Sequence, residues 1–421
     1  MPEKFNYIKP ESNRKESDLM LINSPLSFSS DGLEKELEPS FGQLRIVAVL
    51  EKHGLKPSLL DLCRHPLSPE DIENVLFNAS PKMVGLNPTS INIGPSQIIA
   101  EICKKLKIPL IIGGVHSTLD PKQTLHEYFP DAQIAVRGKG EYAVLKIVND
   151  TLLGKKPQGK GVYYTDSDFS RTDYGECYPL RDIPTIDQFR YIENPLIEKE
   201  INFDGKREMI REISLYVTAG CPFDCAFCST PVLVGKKYGE RPFFHPGVEK
   251  IMKDIDYAVA HGANAVHFLD DMAITNQRQL TAFYHGIQDM GIADDFYWRG
   301  MTRAPIIANQ FQDQDLKNLH DSGCWRLAMG VESGNQEMLD KIRKGITKDQ
   351  VRIAVYKLKN SGISQVKAFF IMGFPDETNE QLIETYNFIM ELKELGLTDI
   401  SLFQFKPYPG TELWEKMKME K

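Results

Sequence analysis

Cys221, Cys225 and Cys228 lie in one run, Thr218-Ala219-Gly220-Cys221-Pro222-Phe223-Asp224-Cys225-Ala226-Phe227-Cys228, and an apolar strand candidate, Ile213 to Val217, leads into it. The spacing is C-x3-C-x2-C. Soft thiolates this close together suit iron, and three of them can hold three corners of a cubane iron–sulfur cluster. The fourth corner has no nearby cysteine, so its iron keeps an open coordination position at which chemistry can occur. A structural zinc site needs four ligands, usually as two spaced pairs. Here there is a single triplet, and His245 lies downstream with no ligand-like spacing. Disulfide pairing would leave an odd thiol over.

With Phe227 in the aromatic place, the run resembles the C-x3-C-x-aromatic-C signature of the radical S-adenosylmethionine (radical SAM) family. The resemblance implies a 4Fe–4S cluster on Cys221, Cys225 and Cys228, with the amino and carboxylate groups of SAM chelating the fourth iron. It also implies an electron donor such as a flavodoxin or ferredoxin. Electron transfer would then cleave SAM to a 5′-deoxyadenosyl radical, hard chemistry that belongs to the cofactor while the protein orients it and excludes water.

The chain around this loop has 421 residues, enough for two or three domains with real cores. Apolar residues are 42% and charged residues 26%, ordinary for a soluble globular protein. A net charge of −8 argues against nucleic acid as the main partner. There is no apolar run long enough to span a membrane, and Met1 to Ser17 is too polar for a signal peptide. Seven cysteines, three of them clustered, fit a reducing cytoplasm. Cys63, Cys103, Cys177 and Cys324 stand singly and read as small packed residues.

Before the cysteines, short apolar strands alternate with helices. Strands are expected at Leu19–Asn23, Ser58–Cys63, Met83–Asn87, Pro109–Ile112 and Ala132–Val136. Helices are expected at Phe41–His53, Pro69–Phe77 with Ser68 as N-cap, Gly94–Leu106, around Gln123–Tyr128, and from Gly138–Glu141 to about Leu153. This alternation predicts a doubly wound parallel sheet of the Rossmann or flavodoxin type. Such sheets bind ligands beyond the carboxyl ends of their strands, here in loops 23–30, 87–92, 113–118 and 138–141. No G-x-G-x-x-G follows the first strand, which argues against a dinucleotide.

Together with the cysteine triplet, this half resembles the cobalamin-binding domain fused to many radical SAM enzymes. The resemblance is carried by Val84-Gly85-Leu86 with Thr89 and Ser90, by Ile111-Ile112-Gly113-Gly114-Val115-His116-Ser117-Thr118, and by the Gly138-Lys139-Gly140-Glu141 run. It implies cobalamin contacts at Thr89, Ser90, Gly113, Gly114, His116, Ser117, Gly138 and Glu141. Cobalamin domains of the methionine synthase type carry D-x-H-x-x-G after the first strand. Here that loop is Ser24-Pro25-Leu26-Ser27-Phe28-Ser29-Ser30, so a lower axial histidine from it is excluded. For His116, a turn residue after Gly-Gly and a corrin contact are equally open.

The stretch 154–205 reads as a linker, with a short strand pair around Val162 to Tyr164. From Glu212, six strand–helix repeats predict a partial (β/α)6 barrel of the TIM type. Its strands are expected near 213–217, 265–269, 295–298, 326–330, 366–371 and 399–404. Its helices are expected near 247–260, 277–290, 313–321, 335–341, 348–360 and 379–395. The expected domains are therefore a tail at 1–17, a cobalamin-binding domain at 18–153, a linker at 154–205 and a radical SAM barrel at 206–421. The chain stops soon after Leu413, where relatives usually continue, so the C-terminal extension is expected to be short or truncated.

The strand ends offer further candidates. Asp270 and Asp271 end the second barrel strand, as ligands for substrate or SAM hydroxyls or as a capping turn. Arg303 ends the third; its guanidinium could clamp the SAM carboxylate or make a surface salt bridge. Gly330-Val331-Glu332-Ser333-Gly334 resembles the family's G-x-E-S run, which implies SAM contacts at Glu332 and Ser333. Met372-Gly373-Phe374-Pro375 resembles its glycine motif, where Gly373 would let adenine approach. Phe227 would likewise lie by SAM. No residue is singled out as acid, base or nucleophile.

The resemblance implies a radical SAM enzyme using a 4Fe–4S cluster, SAM and cobalamin to methylate an unactivated carbon of a small-molecule or natural-product substrate. Cyclisation, ring contraction or decarboxylation with the same cofactors is the alternative, and a non-catalytic cobalamin or cluster sensor a third. A sensor needs no open iron and no SAM pocket.

Overall fold

The computed structural model describes residues 17–28, 39–170, 173–192, 194–236, 239–241 and 243–419. Most of the expected tail, and Ser29 and Ser30 of the first strand-end loop, lie outside the described residues. The chain divides into two compact units, Met1–Pro195 with Leu233–Arg241, and Leu196–Val232 with Pro242–Lys421.

In the first unit five short apolar runs form parallel strands: β1 (Leu19–Asn23), β2 (Pro57–Asp61), β3 (Val84–Leu86), β4 (Leu110–Ile112) and β5 (Ile134–Val136). Every residue of β1 is buried, because a strand covered by helices on both faces has no wet side. Helices Phe41–Lys52, Pro69–Ala79, Ile93–Lys105 and Gly140–Leu152 supply those covers. Ser68 caps the second of them by accepting from Asp71 N at 3.1 Å. A sixth strand, β6 (Val162–Tyr163), pairs antiparallel with β5. The order β2-β1-β3-β4-β5-β6 is flavodoxin-like, reversing between β1 and β3.

The second unit holds β7 (Ile197–Phe203), β8 (Lys206–Leu215), a small ribbon of β9 (Ala219–Gly220) with β10 (Phe243–Phe244), then β11 (Ala265–Phe268), β12 (Tyr297–Thr302), β13 (Cys324–Glu332), β14 (Gln365–Met372) and β15 (Asp399–Gln404). The large sheet runs β15-β14-β13-β12-β11-β8-β7. Consecutive parallel neighbours joined by helices make the expected partial barrel. The helices pack on its outer face, where fully buried Trp298 meets the edges of Phe268 at 5.8 Å and Phe283 at 5.3 Å. The antiparallel edge strand β7 falls in the stretch read as linker. Its alternation, Ile-Glu-Lys-Glu-Ile-Asn-Phe, is that of a strand with one wet face.

At the N-terminal end of this sheet, fully buried Glu212 accepts from Arg299 Nε at 2.9 Å and Nη2 at 2.8 Å, and from Lys199 Nζ at 2.5 Å. Burial alone would raise this carboxyl, but the two cations outweigh it and hold it below the ordinary carboxylate range. The stabilisation is therefore fully present above the unfolded pKa, about 4.3, and is lost as pH falls through the depressed folded value. Glu212→Gln leaves two cations facing each other, a cost of about 3–5 kcal/mol. A thermal melt at neutral pH should show a lowered Tm, and the variant's Tm should respond less to acid than that of the parent. Equal Tm values at neutral pH would contradict this role.

Candidate active site

The cysteine loop sits where two parallel strands place it. Leu215 of β8 and Phe268 of β11 are register partners, so the residues two or three beyond each meet. Fully buried Asp270 accepts there from Val217 N at 3.3 Å, from Thr218 N, and from Thr218 Oγ1 at 2.6 Å. Asp270 thus braces the entrance to the loop, and the helix-capping alternative does not describe it. The β9–β10 pairing fixes Ala219 and Gly220 immediately before Cys221. Farther along, Ala226 N donates to Ile342 O at 2.9 Å and Cys228 N to Cys225 O at 3.1 Å.

All three cysteines are free and half-buried. Burial pushes the Cys221 and Cys228 thiols up, and the Asp271 carboxylate adds to this, so metal loading must displace protons. Among the described residues no three His, Cys, Asp or Glu side chains converge as ligands of one ion. A cubane does not require that, since each thiolate takes a different iron. His245 is occupied elsewhere: its Nδ1 accepts from Gly247 N at 3.0 Å and its Nε2 lies 2.6 Å from Gln279 Nε2.

Several predicted site residues gather around the loop. Phe227 meets Phe374 edge-on at 5.6 Å, next to Gly373. Gly373 has a φ of +81° and open space where a Cβ would stand, a cradle that suits close approach of a flat ring. Glu332, at a φ of +73° where the β13–β14 register shifts, reaches Lys344 Nζ at 2.6 Å. The pair lies close over Gly330, where a Cβ would stand 2.7 Å from Lys344 Nζ and push it aside. Lys344, whose ammonium also lies 5.9 Å over the Phe227 ring, was not among the residues expected at the site. Ser333 is not brought to this group. It is fully buried, its Oγ accepting from Asn335 N and facing Thr385 Oγ1. Arg303 is buried and held against Phe223 and Cys225, a placement unlike either the open bidentate clamp or the surface salt bridge weighed for it.

In the first unit the loops at the strand C-termini are tied into one rim. Asn92 Nδ2 donates to Ser24 O at 3.1 Å, Gly113 N to Leu86 O at 2.8 Å, and Gly138 N to Thr118 Oγ1 at 3.0 Å. Gly114, at a φ of +81°, lies so close to Asn87 that a Cβ would stand 2.9 Å from the Asn87 Cβ. Ser117 Oγ is spent on Val136 O and Thr89 on Asn92, while Ser90 is exposed. Among the described residues, the buried polar side-chain atoms of this unit without a hydrogen-bond partner include Ser24 Oγ, Gln43 Oε1, His116 Nε2 and Glu141 Oε2. Burial lowers the His116 pKa and favours the neutral ring. Orphaned buried donors and acceptors at the ligand edge of a doubly wound sheet fit a large cofactor rich in amide side chains. Ser24 and Gln43 were not singled out from sequence, since only the fold buries them.

A parallel half-barrel with a cysteine triplet beyond its first parallel strand, preceded by a flavodoxin-like unit, defines a two-domain cofactor-carrying α/β enzyme. Comparison with known proteins is specific. Residues 215–389 match the radical SAM superfamily and residues 36–148 the B12 binding domain. The chain is 29% identical to an uncharacterised methyltransferase of Pyrococcus horikoshii, over 87% of this chain and 75% of that one. It is 26% identical to an anaerobic magnesium-protoporphyrin IX monomethyl ester cyclase of Cereibacter sphaeroides, over 77% of this chain but only 52% of the cyclase. Its fold is shared with a radical SAM methyltransferase from Kitasatospora setae, solved with cobalamin and a 4Fe–4S cluster, at a TM-score of 0.72 and 15% identity, covering 96% of this chain and 78% of that one. The chain carries a B12-binding domain followed by a radical SAM domain, and is a cobalamin-dependent radical SAM enzyme whose cofactors are a 4Fe–4S cluster, SAM and cobalamin. No described helix is long and apolar enough to cross a membrane.

Two variants separate the sites. Asp270→Ala strands two backbone N–H groups and one hydroxyl, costing about 3 kcal/mol, and should lower iron retained after anaerobic reconstitution while leaving cobalt retention unchanged. Glu141→Gln combined with His116→Ala should do the reverse. Iron and cobalt counted per chain after desalting check both, and parallel loss of the two metals in either variant would contradict separate sites.

Proposed function

We propose that this enzyme transfers a methyl group to an unactivated carbon of a small-molecule substrate. The observation that carries the reading is the half-buried cysteine triplet at the strand-end edge of the half-barrel, in a chain whose preceding unit presents orphaned buried polar atoms at its own strand ends. Bound there, the cluster with SAM supplies hydrogen-atom abstraction and cobalamin supplies the methyl group.

The rest is the work of this chain's residues. Cys221, Cys225 and Cys228 hold the metal, with Asp270 fixing the loop's entrance. Phe227 and Phe374 keep water from one side of the loop, and Gly373 leaves room for an adenine-sized ring. The Glu332–Lys344 pair presents fixed charge to the SAM side of the site. In the first unit, His116 Nε2 and Glu141 Oε2 are left to pair with amide groups, Gly113 leaves room for close backbone approach, and Gly114 lets the loop pack on Asn87. Such preorganised contacts act by proximity, placing reacting groups without reorganisation during the reaction. A low-potential flavodoxin- or ferredoxin-type donor and a cytoplasmic setting complete the proposal.

The similarity to a cyclase keeps a second reaction class in view, using the same cofactors without methyl transfer. Anaerobic incubation with a strong reductant and SAM labelled in its methyl group separates them. We expect 5′-deoxyadenosine and label in the cobalamin fraction from the parent, and no 5′-deoxyadenosine from Cys225→Ala. 5′-Deoxyadenosine without label on cobalamin would refute methyl transfer, and absence of both would refute the radical reading.

A further inference from the structure

We infer that Arg303 is a positioning residue that acts through the sulfur of Cys225 to make the cluster easier to reduce; the inference rests on the cluster reading above. Arg303 follows β12 and is only 6% exposed. Three contacts fix its guanidinium plane. Its carbon lies 3.7 Å from the centroid of the Phe223 ring, Nη1 lies 3.8 Å from Cys225 Sγ, and Nη2 donates to the Lys344 carbonyl. Nε has no partner.

Arginine stays charged in proteins, and a buried cation is costly unless an anion compensates it. Among the described residues no carboxylate pairs with Arg303. Glu332, at the end of the neighbouring strand, is taken by Lys344 at 2.6 Å, and Arg343, next to Lys344, is turned to Glu412. The anion that remains within reach is the Cys225 sulfur, which is a thiolate once it ligates iron. A cation hydrogen-bonded to a cluster sulfur stabilises the more negative, reduced cluster over the oxidised one, and hydrogen bonds to the sulfurs are an established lever on cluster potential. In the step concerned, one electron passes from a donor of the flavodoxin or ferredoxin class to the cluster. The cluster's charge falls by one, no covalent bond changes, and Arg303 keeps its protons. The same contacts explain why this guanidinium does not stand open for a carboxylate: one face is on Phe223 and both terminal nitrogens are occupied.

The test uses the full chain, reconstituted anaerobically with iron and sulfide, and an EPR-monitored redox titration without SAM. Leaving SAM out separates an effect on the cluster from an effect on SAM binding. Arg303→Gln should lower the midpoint potential, with the equilibrium constant for reduction falling about tenfold, or about 59 mV for one electron. Arg303→Lys, which keeps the charge but loses the planar fork, should fall between the two. If Arg303→Gln holds no iron, Phe223→Leu is the deciding variant, because it keeps the cation and removes the ring that holds it against Cys225. A lowered potential there supports the inference, and a parental potential overturns it. Equal potentials in the parent and Arg303→Gln at equal iron content also overturn it, leaving the cluster reading intact. A parent chain that takes up no iron fails both.

Discussion

One carboxylate holds the geometry of the second unit's site together. Asp270 accepts on its two oxygens from three donors of the two residues that lead into the cysteine loop. Because it is fully buried, each hydrogen bond lost would leave a polar group without water to replace it. The brace exists only because β8 and β11 are parallel neighbours in register. Sheet pairing therefore decides where the cysteines stand before any metal is considered. The β9–β10 ribbon and the Ala226–Ile342 bond then fix the loop at either side.

The two units use the same rule with different means. In both, parallel strands deliver their C-terminal ends to one edge, where loops can be functional without disturbing the core. In the second unit the edge is organised by charge: the Glu332–Lys344 pair, Arg303 against Cys225, and Asp270 under the loop. In the first unit the edge is organised by buried polar atoms without partners, with glycines where side chains would crowd the rim. Charge suits a small polar ligand beside a cluster, and an array of spaced donors and acceptors suits a large amide-bearing one.

What the sequence revealed was local. Cysteine spacing, strand and helix periodicity, and caps such as Ser68 depend on residues a few positions apart, and the expected barrel helices lie within a residue or two of those observed. Contacts between distant residues were not legible. Arg303 reaches Cys225 across 78 positions and Asp270 reaches Thr218 across 52, so the first read as a SAM clamp or a surface salt bridge and the second as a ligand or a cap. Lys344 carried no signal, because its partner became reachable only through a left-handed residue at a register shift in β13. Strand β7 was hidden by its charged alternate positions, whereas β6 falls where a short strand pair around Val162 to Tyr164 was expected.

A B12-binding domain and a radical SAM domain in one chain call for two separate cofactor sites, one for cobalt and one for iron. The most direct measurement is anaerobic reconstitution with iron, sulfide and hydroxocobalamin, then desalting, an optical spectrum and metal counts per chain. About four irons with about one cobalt is the result the two sites predict. Iron without cobalt would contradict the claim for the first unit and leave its orphaned polar rim unexplained, and cobalt without iron would contradict it for the cysteine loop.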